Sequence, residues 1–73
     1  MELRVTFDPE ADAAYINLVD IGPGEAVTTV AGEDEAAGIN LDSDTDGRLL
    51  GIEIESASYR LRASAIEQAE RIG

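Results

Sequence analysis

Leu50, Ile52 and Ile54 alternate with Gly51, Glu53 and Glu55, and the run begins just after Asp46-Gly47, a strong hairpin signal between alternating segments. A period of two puts aliphatic side chains on one side of a strand and carboxylates on the other. Ahead of the turn, Ile39 and Leu41 alternate with Gly38, Asn40 and Asp42 in the same way. A chain holding this unit is committed to an antiparallel sheet with one apolar and one polar face.

The same stretch carries a competing pattern. Residues 42–53 read D-x-D-x-D-G followed by Glu, the spacing of an EF-hand calcium loop. Asp42, Asp44 and Asp46 would take the first three ligand positions, the Arg48 carbonyl a fourth and Glu53 the bidentate slot, with Gly47 at the sharp turn. An EF-hand loop, however, is entered and left by helices. Here both flanks alternate as strands. An extended segment places Glu53 about 20 Å of chain from Gly47, at ~3.3 Å per residue, too far to close around an ion. The stretch is therefore read as a hairpin whose aspartates solvate the turn and discourage edge aggregation. No metal, cofactor or catalytic residue is assigned.

Strands also follow from Leu3, Val5 and Phe7, and from Ala14, Ile16 and Leu18 within Ala13–Val19, with a turn at 9–12 between them. Gly22-Pro23-Gly24 is the clearest break. Beyond it, Glu25–Val30 carries Val27, Thr28, Thr29 and Val30, a short strand by propensity, and residues 32–35 form a polar turn. Near the C-terminus, Ser64 and Glu67 are spaced as a capping box. Leu61, Ala65, Ala69 and Ile72 make an apolar helical stripe, Arg71 falls in the last turn, and a helical turn around 57–61 comes first. The expected fold is α+β, a single domain over 1–73: about five hairpin-connected antiparallel strands with a C-terminal helix on one face. Its expected core is Leu3, Val5, Phe7, Ile16, Leu18, Ile39, Leu41, Leu50, Ile52, Ile54, Leu61, Ala65 and Ile72.

Composition then prunes the function. The chain has no cysteine, histidine or lysine. Thiolate and imidazole zinc sites, Ser–His or Cys–His nucleophiles, Schiff bases and a P-loop lysine are all excluded. Carboxylate chemistry remains, but three aromatic residues in 73 are little material for a sugar cleft. Asp8, Glu10 and Asp12 crowd a turn that offers no burial to shift their titration, and we read them as solvent-facing. Tyr15 is read as a cover for the sheet, and Arg60 and Arg62 as partners for nearby acids. An enzyme is not expected.

The net charge of −11 is uneven. Residues 1–47 hold twelve acids against Arg4 alone, whereas 48–73 balance four acids with four arginines. That distribution opposes nucleic-acid binding and favours a basic protein partner. No apolar run approaches the ~18 residues of a membrane span and no leader is visible, so a cytoplasmic protein is expected.

Two motifs, Asp8-Pro9-Glu10-Ala11-Asp12-Ala13-x-Tyr15-Ile16 and Asp44-x-Asp46-Gly47 followed by Gly51-Ile52-Glu53-Ile54, occur here in an order and spacing that resemble a family of small bacterial proteins, domain of unknown function 2283. The resemblance runs from Leu3 to about Leu61, and the Gly- and acid-rich segment 22–38 departs from it. It implies a β-rich domain with Asp46-Gly47 as a hairpin turn, and no activity. Some members are encoded beside small toxin-like proteins, which implies an antitoxin-like role by association. Three functional readings follow. The first is a non-catalytic module that binds a basic protein. The second is a self-associating homodimer that pairs sheet edges or back faces. The third is a calcium protein using Asp42, Asp44, Asp46 and Glu53.

Overall fold

The computed structural model describes residues 3–72. The strands are β1 (Arg4–Asp8), β2 (Ala13–Asn17), β3 (Thr28–Ala31), β4 (Ile39–Ser43), β5 (Leu49–Glu55) and β6 (Glu70–Arg71); the helices are α1 (Ala57–Arg60) and α2 (Ala63–Gln68). They form one mixed sheet in the order β3-β4-β5-β2-β1-β6, antiparallel throughout except where β6 runs parallel to β1.

The α+β architecture and its hairpins follow the alternation pattern. β5 is the central strand and pairs with both β4 and β2. The β4–β5 hairpin closes on Asp44 and Arg48, whose backbone groups bond at 2.9 Å. The N–H of Gly47 bonds to the Asp44 carbonyl at 3.0 Å, and its φ of 81° needs a residue without a Cβ. The second family motif is therefore a turn device.

The first motif is one too. Asp8 Oδ1 accepts the backbone N–H groups of Glu10 (3.0 Å) and Ala11 (3.3 Å). Asp12 reaches across the fold to the start of α1. Its Oδ1 accepts the Ser58 N–H at 3.0 Å, its Oδ2 the Ser58 hydroxyl at 2.7 Å, and its carbonyl the Ala57 N–H at 2.9 Å. Ser56, which precedes α1, makes no capping bond of its own. Asp12 does the work of an N-cap from the turn between β1 and β2.

The C-terminus departs from expectation in three ways. First, Arg62, not Ser64, precedes α2, and no side chain caps it. This frame turns Ile66 inward in place of Ala65, which is exposed. Burying the extra carbons of isoleucine, at ~0.8 kcal/mol each, outweighs the roughly 1 kcal/mol of a cap. Second, the helix stops at Gln68, so Arg71 lies in a strand and not in a last helical turn. Third, that strand makes the sheet six-stranded and mixed. Arg4 Nε donates to Glu70 Oε2 at 2.7 Å, and the Ile72 N–H bonds to the Phe7 carbonyl at 2.9 Å. Arg71 stacks over the Phe7 ring, 5.8 Å from its centroid. A longer helix would have left β1 without these partners.

The helices cover only part of the apolar face. The central cluster is Phe7, Ala14, Ile54 and Ala57, with Ile16, Ile52, Leu61, Ile66 and Ala69 packed against it. Leu50 is also buried. Five residues expected in the core, Leu3, Val5, Leu41, Ala65 and Ile72, are exposed to varying degrees. The first three share a cause: no helix among the described residues covers their part of the sheet. β3, expected over 25–30, is confined to 28–31 and is exposed along its whole length.

Candidate functional site

The polar face is assembled from odd-numbered residues of β3 and β5, even-numbered ones of β1 and β4, and Tyr15 and Asn17 of β2. Register puts Thr6 beside Tyr15, Tyr15 beside Glu53, and Glu53 beside Asn40. Tyr15 Oη donates to Asp42 Oδ2 at 2.7 Å, and Thr29 Oγ1 donates to Asp42 Oδ1 at 2.6 Å. To reach Asp42, the phenol crosses the α-carbon of Gly51, where a Cβ would sit 2.3 Å from Oη. Burial, then the Asp42 carboxylate, push the Tyr15 hydroxyl up to about 12, so it stays protonated and donating at neutral pH. Asn40 Nδ2 donates to Glu53 Oε1 at 2.8 Å and to Glu55 Oε2 at 2.9 Å, bridging two carboxylates on one strand.

These contacts place all four residues of the calcium pattern. Asp42 and Glu53 lie on β4 and β5 and are taken up by Tyr15, Thr29 and Asn40. Asp44 Oδ1 accepts the N–H groups of Asp46 and Arg48, each at 2.9 Å, inside the turn. Asp46 pairs loosely with Arg48 at 3.7 Å. The flanks are strands, and no group of three metal-ligating side chains converges among the described residues. Arg60 Nη2 donates to the Ala37 carbonyl, while Arg62 is exposed.

The opposite face holds the feature with binding potential. Register lines up Val5, Ile16, Ile52, Leu41 and Val30, one per strand across five strands. Val5 is 37% exposed, Leu41 38% and Val30 58%. At ~4.8 Å per strand the row spans about 19 Å. Where it meets α2 it becomes an open groove of about 360 Å³, with Leu3, Val5 and Ile16 as floor and Leu61, Ala65 and Ala69 as wall. Acidic residues gather at one end of the strands: Asp20 follows β2, Glu25 precedes β3, and Asp44 and Asp46 sit in the β4–β5 turn with Arg48 beside them.

The bare strip and the exposed run 22–31 both add to the surface total. The chain exposes 5234 Å², about 900 Å² more than the roughly 4,300 Å² that its 7.7 kDa mass implies for a monomer. A standard interface removes about 800 Å² from each partner. Alternation in the sequence identifies these residues as apolar-facing; whether the second layer reaches them depends on where α2 ends. Among the described residues, no helix is long and apolar enough to cross a membrane.

No curated protein and no solved structure matches the chain. The family described as protein of unknown function, DUF2283, matches residues 4–58, which takes in both turn motifs, the Asp12 clamp and strands β1 to β5. By that match, the chain belongs to the DUF2283 family.

Proposed function

We propose that this chain is a non-catalytic protein-binding module, and that it docks a basic partner on the uncovered row Val5–Ile16–Ile52–Leu41–Val30. The single observation that carries the reading is that row, left bare beside α2. Its length of about 19 Å matches some 13 residues of helix at 1.5 Å each. Ala65 and Ala69 form a low wall, against which a second helix fits at the usual 8–10 Å from α2. The acidic end of the sheet selects a helix with one apolar stripe and basic residues at its margins. Tyr15, the titrating group most strongly perturbed here, is held protonated and is spent on Asp42, which supports a binding role over a chemical one. The antitoxin-like role implied by the family resemblance is the same reading with a basic toxin as partner.

The test is capture from lysate of the native host at about 50 mM and about 500 mM salt, a range over which exposed charges become screened. It is run in parallel with Leu41→Glu. A basic protein held at low salt, shed at high salt and lost by the variant at both supports the reading. Empty captures, or equal capture by the variant, refute it.

A further inference from the structure

We propose that two copies of this chain join edge to edge through β3, antiparallel about a two-fold axis at Thr29, to double the six-stranded sheet. The inference goes beyond the docking reading and rests on a different observation, the state of the two sheet edges.

The edges are unlike. β6 closes the β1 side with a two-residue strand whose side chains, Glu70 and Arg71, are charged. β3 closes nothing. All four of its residues are exposed. Residues 26–32, Ala-Val-Thr-Thr-Val-Ala-Gly, carry no charge and no proline in a chain that is 29% charged. Free edges are ordinarily protected by lysine, proline, a bulge or a covering segment, and β3 has none of these. High β-propensity, no charge and no proline are the qualities that favour strand pairing.

The hydrogen-bond pattern selects the register. The Gly32 N–H bonds to the Ile39 carbonyl at 2.9 Å, and bonded pairs alternate along an antiparallel ladder. Val30 and Thr28 therefore bond inward to β4, while Thr29 and Ala31 turn their N–H and C=O outward. Val27, just before β3, takes the same parity once the pairing extends the strand by one residue. Antiparallel partners must both face outward, so Thr29 meets Thr29 of the second copy and Val27 meets Ala31. That register forms about six backbone hydrogen bonds. Centring on Val30 would instead bring Glu33 into the ladder, next to Asp34, whose φ of 55° turns the chain away from the edge. In the Thr29 register no carboxylate enters the pairing, and Asp42, one strand back, is already held by the Thr29 hydroxyl. The axis stands perpendicular to the sheet, so both apolar rows end up on the same side.

Sedimentation equilibrium of the full chain from about 10 to about 500 µM reads the association directly. The expected mass is twice 7.7 kDa at the upper concentrations. Two chains of charge −11 repel, so added salt strengthens this contact, opposite to its effect on a basic partner. Ala31→Pro removes an outward N–H and no internal bond, and is expected to be monomeric with an unchanged circular dichroism spectrum. The chain has no cysteine, so Thr29→Cys carries a single thiol. Opposed Cα atoms in a bonded pair lie about 5.5 Å apart, within disulfide reach, and this variant should oxidise to a covalent dimer far faster than Val30→Cys. A mass of 7.7 kDa throughout, or equal cross-linking of the two cysteine variants, overturns the proposal. So does an Ala31→Pro chain that associates as the natural one does.

Discussion

Gly51→Ala is a change of one methyl group on a central strand, and the structure makes it costly. The new Cβ would lie 2.3 Å from Tyr15 Oη, 2.5 Å from Cζ and 2.6 Å from Cε2. Two ring atoms are involved besides the hydroxyl oxygen, so moving the hydroxyl alone does not relieve the contact; the whole phenol must leave. Overpacking of this kind costs about 1–3 kcal/mol. Losing the Tyr15–Asp42 hydrogen bond adds about 1 kcal/mol. Alanine recovers some 0.5–1 kcal/mol because glycine is a poor strand residue. The net loss is about 1–3.5 kcal/mol, against a total stability of about 4–11 kcal/mol for a chain of this length. With an unfolding entropy of roughly 150 cal/mol/K, the midpoint should fall by about 7–23 °C. Thermal melts followed by far-UV circular dichroism measure it, at low protein concentration and in wild-type and Tyr15→Ala backgrounds. In the second background the ring is gone, and Gly51→Ala should cost nothing or stabilise slightly. An equal loss in both backgrounds, or a shift under about 3 °C in the first, refutes the reasoning.

With Tyr59→Phe removing the other tyrosine, absorbance titration at the phenolate band should give Tyr15 a midpoint near 12, and Asp42→Asn should bring it down towards the ordinary value of about 10. Because the folded value lies above the unfolded one, Tyr15's contribution to stability is complete below about pH 10 and is lost as pH rises towards 12; alkaline urea melts that stay flat for the Tyr59→Phe chain across that window would contradict it. Glu70, held below the usual carboxylate range by its hydrogen bond to Arg4 and then by that charge, has the opposite sign. Its contribution is present above the unfolded value and is lost as pH falls through the folded one, so the protection of the Ile72 amide, measured against its intrinsic exchange rate at each pH, should fall on acidification in the wild type and less so in Glu70→Gln. Asn40→Leu leaves Glu53 and Glu55 without their shared donor and should cost about 1–2 kcal/mol in urea melts; a neutral result would show that the bridge is dispensable.

Alternation located β1, β2, β4 and β5, because burial on one face of a sheet writes a period of two into the chain. It could not say which part of that face would be covered. Leu41 and Ile54 look equivalent in sequence, yet one is exposed and the other buried, since α1 and α2 cross at Ile54 and stop short of Leu41. The C-terminal segment misled for another reason. Ser64 and Glu67 have capping-box spacing, but the gain from turning Ile66 inward is tertiary and leaves no local trace. β6 was invisible because its partner lies 66 residues away, at Arg4–Glu70. The Asp12–Ser58 clamp spans 46 residues and is equally silent. The calcium pattern could be set aside because its flanks were legible. The contacts that occupy Asp42 and Glu53 were not, since each comes from another strand.

A sheet with two free edges can add copies at both and grow without limit; a sheet with one can only stop at a pair. Here the difference rests on two residues. β6 is held by the shortest ladder in the sheet and by the longest chain closure, so it is the segment that opens at least cost. A protease that removes the chain from Glu70 onward would bare β1, and a chain that pairs through β3 as proposed would then carry a second free edge and could build a fibre. We expect such a cut chain to scatter light on standing at concentrations where the intact one stays clear. On the proposed pairing Glu70 and Arg71 would act as a stopper, and resistance of this segment to proteolysis would become a measure of how well the protein resists aggregation.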